Sequence, residues 1–174
     1  MIQVYTGDGK GKTTAALGVL LRAIGAGKKV AWVAFDKGGD DYNERIAIRE
    51  RFPEVDYHVT GLNRIDEKGK FRFGVTFSDK QEGERGLEIV RELFAADNHD
   101  LIVLDEINST TSLGIVNEPD VISLLNIKPA NLELILTGRN APQSFRDQCD
   151  LMTEMKLHKH YFYHGTKARP GIDY

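Results

Sequence analysis

The sequence predicts an α/β fold in which a mostly parallel β-sheet is flanked by helices on both faces. Two observations support this prediction. Short apolar segments alternate along the chain with longer segments of helical periodicity, and such alternation is typical of a parallel sheet covered by helices. In addition, a glycine-rich loop joins the first predicted strand to the first predicted helix. With 174 residues, the chain is most simply a single domain, residues 1–174, that is long enough to bury a full core.

The predicted strands are short apolar runs. Residues 29–35 (KVAWVAF) are the clearest example, because a near-continuous apolar sequence is expected of a strand buried on both faces. Residues 101–104 are followed by Asp105 and Glu106, and a later strand is followed by Arg139. Since ligands of parallel sheets bind at the carboxyl ends of the strands, we expect these side chains to meet the glycine-rich loop in one site. In chain order, the predicted strands are residues 2–5, 29–35, 55–60, 101–104, 132–137 and 151–155.

The predicted helices carry apolar residues at helical spacing. The first begins at the end of the glycine-rich loop, and Gly25 and Gly27 suit its C-terminus. The second ends before Pro53, because the residue before a proline is biased away from helical backbone angles. Residues 61–78 are polar and contain glycine, and a long irregular segment of this kind is usually functional or mobile. The predicted helices are residues 12–26, 42–52, 82–96 and 119–125.

Composition and charge indicate a globular protein without a membrane or nucleic-acid surface. Apolar residues at 41% and charged residues at 28% are ordinary for globular proteins. A net charge of -3 leaves no excess of basic residues for binding nucleic acid. No apolar run approaches the roughly 20 residues that span a bilayer, and the N-terminus has no secretory apolar region. The single cysteine, Cys149, excludes an internal disulfide and suits a reducing compartment, so we expect a cytoplasmic protein.

Residues 6–14, TGDGKGKTT, have the composition of a phosphate-binding loop. Glycines allow the backbone to wrap around an anion with its N–H groups pointing inward, and the N-terminus of the following helix adds a partial positive charge. Lys12 adds a mobile charge, and Thr13 offers a hydroxyl to Mg²⁺. The loop departs from the common pattern GxxxxGK[ST], because Thr6 stands where the leading glycine is expected. The residues expected to bind a nucleotide are Gly7, Asp8, Gly9, Lys10, Gly11, Lys12, Thr13 and Thr14. The alternative is a glycine-rich turn that binds nothing.

Four further residues are candidates for the same site. Asp105 and Glu106 end an apolar strand, and adjacent side chains at a strand end point to different sides, so one is expected to face a metal while the other orients water or an Asn. Arg139 could bind a triphosphate through two N–H groups, or it could tether Asp105 or Glu106. Arg22 shares a helix face with Thr14, which suits a ribose or base contact but also a solvated arginine.

The C-terminal region carries three histidines, His158, His160 and His164, at a spacing that could hold a metal. A solvated or partner-binding tail is favoured over a metal site, because no cysteine accompanies the histidines and lysine and tyrosine surround them. The sequence gives no spacing from which a Ser-His-Asp or Cys-His arrangement could be argued, so a reaction that needs no protein nucleophile is favoured.

Several segments together resemble the ATP:corrinoid adenosyltransferases of the phosphate-loop type. The combination of GxGKGKTT with TGRNAP and a terminal GIDY is highly specific for that family. The segments that carry the resemblance are VYTGDGKGKTTAALG from Val4, AFDKGG from Ala34, DLIVLDEIN from Asp100, LILTGRNAP from Leu134, DLMTEMKLHKH from Asp150 and GTKARPGIDY from Gly165.

The resemblance implies a RecA-like phosphate-loop fold that usually works as a homodimer. It implies an enzyme that transfers the 5′-deoxyadenosyl group of ATP to the Co(I) centre of a reduced corrinoid, cob(I)alamin or cob(I)yrinic acid a,c-diamide, and releases triphosphate. ATP, Mg²⁺ and the corrinoid would be its ligands, and a flavoprotein would be the reductant that supplies electrons. Because Co(I) is itself the nucleophile, the protein would only align the reactants and stabilise charge on the leaving triphosphate.

The resemblance also implies roles for individual residues. Lys12, Thr13 and Glu106 would be catalytic, with Mg²⁺ on Thr13 and Glu106 and with Asp105 in support. Lys10 and Arg139 would be additional cations at the triphosphate, and Arg22 would lie near the ribose.

The aromatic residues of the 61–78 segment differ from the family pattern. Family members carry a Phe-x-Trp pair that helps to expel the lower axial ligand of the corrinoid, whereas the single tryptophan of this chain, Trp32, lies in a predicted strand. Phe71, Phe73 and Phe77 are the candidates to replace that pair.

Three other functions stay open on the sequence. A divergent relative could bind or hydrolyse ATP for another acceptor, a non-enzymatic module could bind a corrinoid in a nucleotide-dependent way, and a nucleoside kinase would share the loop and the acids. Products distinguish them, because only adenosyl transfer releases triphosphate.

Overall fold

Six strands form one sheet in a computed structural model of the protein, which describes residues 1–39, 42–64, 70 and 72–173. The strand order is β3-β2-β4-β5-β1-β6, and every pair in it is parallel. The predicted parallel sheet is therefore confirmed. The strands are Ile2–Thr6 (β1), Val30–Ala34 (β2), Asp56–Val59 (β3), Leu101–Asp105 (β4), Glu133–Thr137 (β5) and Leu151–Glu154 (β6).

Helices cover both faces of this sheet, as predicted. The helices are Lys12–Gly25 (α1), Asn43–Arg51 (α2), Phe77–Ala96 (α3), Ile107–Ser112 (α4), Glu118–Asn126 (α5) and Gln143–Gln148 (α6), followed by a 3-10 turn at Tyr161–His164. Apolar residues of α1 and α2 pack with one set of alternate strand residues, among them Trp32 and Val103. Residues of α3, α5 and α6 pack with the opposite set, among them Val33 and Leu104. Because the strands are buried on both faces, they show the near-continuous apolar sequences on which their prediction depends.

The helix α3 begins five residues before the predicted start at residue 82, at Phe77. Its N-terminus is a capping box: the Thr76 hydroxyl accepts a hydrogen bond from the Asp79 N–H (3.3 Å), and the Asp79 carboxylate accepts one from the Thr76 N–H (2.7 Å). This arrangement satisfies backbone donors that would otherwise lack partners at the helix end. The two short helices α4 and α6 were not predicted, because six residues are too few to show a periodicity.

The carboxyl ends of the parallel strands meet at one edge of the sheet. The register places Tyr5 beside Thr137 and Ala34 beside Asp105. The loops that follow β1, β2, β4 and β5 consequently leave the sheet side by side, which is the arrangement that positions the site described below. Within the described ranges, no helix is long and apolar enough to cross a membrane.

Candidate functional site

The glycine-rich loop between β1 and α1 packs against the backbone that follows β6. The N–H of Gly9 donates a hydrogen bond to the carbonyl oxygen of Met155 at 2.7 Å. A Cβ atom on Gly7 would lie 2.5 Å from that oxygen, and a Cβ on Gly9 would lie 2.7 Å from it. Any side chain at either position would displace the backbone, so the two glycines allow the close approach of loop and strand.

Lys12 lies folded across the loop. Its Nζ donates to the carbonyl oxygens of Gly7 (2.6 Å) and Gly9 (2.8 Å), and the residue is only 9% exposed. Burial lowers the pKa of Lys12, while the carboxylate of Glu106 acts in the opposite direction. The loop therefore holds an ammonium group at the N-terminus of α1, next to where an anion would bind.

Asp105 is buried behind the loop and accepts hydrogen bonds from three side chains. Its Oδ1 accepts from the hydroxyls of Thr13 (3.0 Å) and Thr137 (2.5 Å), and its Oδ2 accepts from Nζ of Lys37 (2.5 Å). Asp105 is 1% exposed, so these donors replace the water that the carboxylate has lost. Sequence reasoning did not identify Lys37, although the segment AFDKGG that contains it begins at the last residue of β2, the neighbour of β4.

Glu106 lines the cleft, in contrast to its neighbour. Its backbone has a left-handed conformation (φ 63), and its N–H donates to the Thr137 hydroxyl at 3.0 Å. One carboxylate oxygen accepts from the hydroxyl of Ser109 at 2.5 Å, and the residue is a wall of the cleft. The two adjacent acids thus face different environments, one buried and one open to a ligand.

Two further polar residues of α4 connect the loops of the site. Asn108 is fully buried, and its side-chain amide donates to the carbonyl oxygens of Tyr5 and Gly138, each at 3.2 Å. Ser109 accepts a hydrogen bond from the N–H of Arg139 at 2.9 Å. These bonds join the ends of β1, β4 and β5, so α4 fixes the relative positions of the three loops.

Three basic residues were predicted to contact the nucleotide, and they have different surroundings in the structure. Arg139 lines the cleft and is exposed, and within the described part of the chain its guanidinium makes no hydrogen bond or ion pair, so it does not tether Asp105 or Glu106. Lys10 also lines the cleft, but the C-terminal tail holds its ammonium group. Arg22 is exposed near the C-terminal end of α1 and is not part of the cleft lining.

The C-terminal tail folds back over the loop at Lys10. Nζ of Lys10 donates to the Asp173 carboxylate, to the Tyr161 hydroxyl (3.1 Å) and to the Ile172 carbonyl (2.5 Å). Arg169 donates to the same carboxylate through its N–H (3.0 Å) and its Nε (3.1 Å). The hydrogen bonds from Lys10 and Tyr161 hold the pKa of Asp173 well below its usual range. Among the described residues, no group of three or more His, Cys, Asp or Glu side chains is arranged to hold a metal.

The loop, the ends of β2 and β4, the start of α2 and the tail enclose a cleft of about 1580 Å³. Such a volume exceeds the few hundred to about a thousand Å³ of ordinary small-molecule sites, which suits more than one ligand. Its polar end contains eight of the predicted nucleotide-binding residues, Asp8, Gly9, Lys10, Gly11, Lys12, Thr13, Thr14 and Arg139. Its other walls include the apolar residues Leu17, Ala47, Leu62, Leu113, Phe162 and Ile172.

Two of the aromatic candidates of the 61–78 segment, Phe73 and Phe77, lie outside this lining. Phe73 is 85% exposed and Phe77 is 76% exposed, whereas Phe71 lies outside the described residues. The segment is joined to the sheet through Arg64, whose Nε donates to both carboxylate oxygens of Asp36 (2.8 and 2.9 Å). The two exposed rings thus lie on a segment whose start is held by a partly buried ion pair.

The parallel sheet, the loop that closes on α1 and the acids at the end of β4 define a phosphate-loop nucleotide-binding protein. Within that class, the chain belongs to the ATP:corrinoid adenosyltransferase family, because the model described as ATP:corrinoid adenosyltransferase BtuR/CobO/CobP matches residues 1–174. This membership confirms the resemblance inferred from the sequence.

Individual relatives agree with this assignment. The chain is 34% identical over 175 residues to a corrinoid adenosyltransferase of Pseudomonas aeruginosa, an alignment that covers 100% of this chain and 83% of that protein. It is also 34% identical over 174 residues to the corrinoid adenosyltransferase CobA of Salmonella typhimurium, covering 100% of this chain and 85% of that protein. An uncharacterized protein of Nostoc sp. is 37% identical over 185 residues, and this chain spans 48% of its length.

A solved structure supports the fold. A KaiC-like protein of Pyrococcus horikoshii has a TM-score of 0.57 at 17% sequence identity, covering 91% of this chain and 73% of that one. At this identity the similarity shows the fold alone, and the predicted RecA-like phosphate-loop fold is confirmed.

Proposed function

We propose that the protein transfers the 5′-deoxyadenosyl group of ATP to the Co(I) centre of a reduced corrinoid, cob(I)alamin or cob(I)yrinic acid a,c-diamide, and releases triphosphate. The observation that carries the proposal is the convergence of the loop, Lys12, Arg139 and Glu106 in one cleft of a chain that belongs to this family. The cleft is large enough for a nucleotide beside part of a second, larger ligand. The corrinoid is a substrate, and its cobalt is the nucleophile.

The chain's own contribution is to bind and stabilise the triphosphate. As the bond to C5′ breaks, negative charge grows on the leaving triphosphate, and donors already fixed near that charge lower the barrier. The loop N–H groups and Lys12 would contact the triphosphate at the start of α1. Arg139 is suited to bind it through two N–H groups, because its guanidinium is not engaged by any described residue.

The donor atoms of the site fit a Mg²⁺ ion. Mg²⁺ prefers oxygen ligands and is commonly held by one or two carboxylates together with substrate phosphates. Thr13 and Glu106 both line the cleft, whereas Asp105 supports Thr13 by accepting a hydrogen bond from its hydroxyl at 3.0 Å. When bound, the ion would supply positive charge to the triphosphate.

Other parts of the proposal depend on the family resemblance. A homodimer, a cytoplasmic location and a flavoprotein that reduces the cobalt are expected from the family. The contact between Arg22 and the ribose also depends on the resemblance alone, because Arg22 lies outside the cleft lining. Phe73 and Phe77 are proposed to act on the lower axial ligand of the corrinoid, since both rings are exposed.

The decisive experiment combines the purified protein with ATP, Mg²⁺ and chemically reduced cob(I)alamin under anaerobic conditions. The visible spectrum reports a light-sensitive adenosylated product, and triphosphate is assayed in the same samples. Product and triphosphate in equal amounts are expected, and Lys12→Ala should abolish both. Release of phosphate or ADP instead would indicate an ATPase or a kinase, and ATP binding without any product would contradict the proposal for this corrinoid.

A further inference from the structure

We infer that Lys37 is a positioning residue for the transfer, which holds the Asp105 carboxylate in the orientation that directs the oxygen of Thr13 toward the ligand. The inference rests on the proposed function, because it assigns a role within the same site. Lys37 acts through Asp105, and its own side chain need not contact the substrate.

Lys37 is held at a fixed place beside Asp105. Its Nζ lies 2.5 Å from Oδ2 of Asp105, and the residue is 9% exposed. Its backbone N–H donates to the Thr60 carbonyl oxygen at 3.1 Å. A Cβ on the next residue, Gly38, would collide with the backbone of Leu62. The start of the loop after β2 is therefore packed closely against the segment that follows β3, and it places the ammonium group at one oxygen of the carboxylate.

The surroundings of the Lys37 ammonium group favour a positive charge at this position. Glu44 lies 4.0 Å from Nζ, and the ring of Tyr42 lies 5.3 Å from it. Carboxylates and an aromatic face thus surround the cation, and a neutral side chain of similar length could not replace it.

The pair sets the direction of the Thr13 hydroxyl. A hydroxyl has one proton to donate and two lone pairs that accept. The Thr13 hydroxyl donates its hydrogen bond to Asp105 (3.0 Å), which leaves the lone pairs of Thr13 for a cation in the cleft. With Lys37 on Oδ2 and two hydroxyls on Oδ1, the carboxylate cannot rotate without losing a partner.

Lys37 also compensates the charge of Asp105. Without it, the buried carboxylate of Asp105 would be left uncompensated near a triphosphate, and like charges repel strongly where water is excluded. Removal of Lys37 should therefore weaken the binding of Mg²⁺·ATP and misorient Thr13 together.

A double-mutant cycle tests the inference with Lys37→Met, Asp105→Asn and the combined variant. Lys37→Met should lower kcat and the Mg²⁺-dependent affinity for ATP, measured by calorimetry, by about tenfold or more, as expected for loss of a residue that orients a metal-binding group. In the Asp105→Asn background, the same substitution should change neither quantity by more than about twofold, since additivity fails for residues that act through each other. Lys37→Arg, which keeps the charge, should recover part of the loss.

A matched control exists at the other end of the same two strands. Lys28 precedes β2 and Asp100 precedes β4, and their side chains form an exposed pair at 3.5 Å. Lys28→Met should leave kcat and ATP affinity within about twofold of the wild type, because exposed pairs contribute little.

The outcomes separate the alternatives. An equal loss from Lys37→Met in the wild-type and Asp105→Asn backgrounds would show direct contact with the substrate, and no loss at all would show a structural role only; either result overturns the inference. If Lys37→Met does not fold, the comparison of Asp105→Asn with the combined variant decides. If the wild type makes no adenosylated product, the proposed function fails, yet the Mg²⁺-dependent ATP affinities still test Lys37.

Discussion

The three cations predicted to assist at the triphosphate, Lys10, Lys12 and Arg139, differ at the residue scale in what holds them. Lys12 is bound by loop carbonyls and Lys10 by the tail, whereas the guanidinium of Arg139 has no hydrogen-bond or ion-pair partner in the described ranges. Because Arg139 has no described protein partner to give up, it is the cation of the three best prepared to bind a phosphate oxygen.

Replacement of Arg139 by Ala should lower kcat/KM for ATP by about a hundredfold, the loss typical of one donor to a developing negative charge. Arg139→Lys should recover only part of it, because an ammonium group lacks the planar fork. Steady-state kinetics measure both. The matched control is Arg51→Ala, an exposed arginine at the end of α2; an equal loss in Arg51→Ala would contradict a specific role for Arg139.

Sequence reasoning predicted the loop residues and the acids of this site but not their mutual contacts. Lys12, Thr13 and Glu106 could be predicted because their chemistry is encoded in a short motif and at a strand end. Lys37 could not, because its bond to Asp105 depends on β2 lying next to β4, and strand order is not written in a local pattern. The contact of Lys10 with Asp173 likewise joins residues from opposite ends of the chain.

Local side chains stabilise individual elements, and their contributions can be tested separately. The residues that cap the N-terminus of α3 are one example. Asp79 is 1% exposed and accepts hydrogen bonds from Arg72, Thr76 and the Thr76 N–H. The start of this helix was predicted too late, although the spacing of Thr76 and Asp79 is a readable capping signal.

The Asp79→Asn variant should lose about 1 kcal/mol of unfolding free energy at pH 7, the usual contribution of a cap. Bonds from Arg72, then from Thr76, hold the pKa of Asp79 below its ordinary value of 3.8. The contribution is therefore complete above that value and is lost as the pH falls below it. Urea titrations measure the free energy of unfolding at pH 7 and at pH 3.5 or lower. The difference in this free energy between Asp79→Asn and the wild type should be smaller at the lower pH. Glu84→Gln, an exposed carboxylate on the same helix, should show no such trend.

The tail from Tyr161 to Asp173 is a second element, which the ammonium group of Lys10 anchors to the glycine-rich loop. Hydrogen exchange of the backbone amides in this tail should become faster in Lys10→Met and in Asp173→Asn alike, because each removes one partner of the same pair. Global stability should change little, since exposed ion pairs contribute little. Faster exchange in only one of the two variants would contradict a shared anchor. Lys28→Met serves again as the control.

At the scale of the whole molecule, stability depends on a sheet that is buried on both faces. Leu136 in the central strand β5 is fully buried, whereas Leu151 in the edge strand β6 is 48% exposed. Leu136→Ala should cost about 2–5 kcal/mol of unfolding free energy, because it removes buried methyl groups and leaves a cavity. Leu151→Ala should cost less than about 1 kcal/mol.

Fluorescence of Trp32 can report this unfolding, because the ring is 1% exposed and stacks on Tyr57. Urea titrations followed by this signal and by circular dichroism should coincide for both variants. Equal destabilisation by Leu136→Ala and Leu151→Ala would contradict the assignment of centre and edge.

The fold class was predictable because burial on both faces is visible in the strand sequences, whereas the position of each strand within the sheet was not.

The position of β1 has a consequence for how the protein is made. β1 lies between β5 and β6, where Ile2 pairs with Leu134 and Gln3 with Leu151, and the loop that follows β1 rests on the carbonyl of Met155. A ribosome thus synthesises the glycine-rich loop well before the strands that support it. Such distant pairing is slow and leaves apolar strand surface unprotected meanwhile. A nucleotide that binds at the loop can therefore stabilise the folded chain but not the chain still being synthesised. Dependence on chaperones should end only when β6 has left the ribosome.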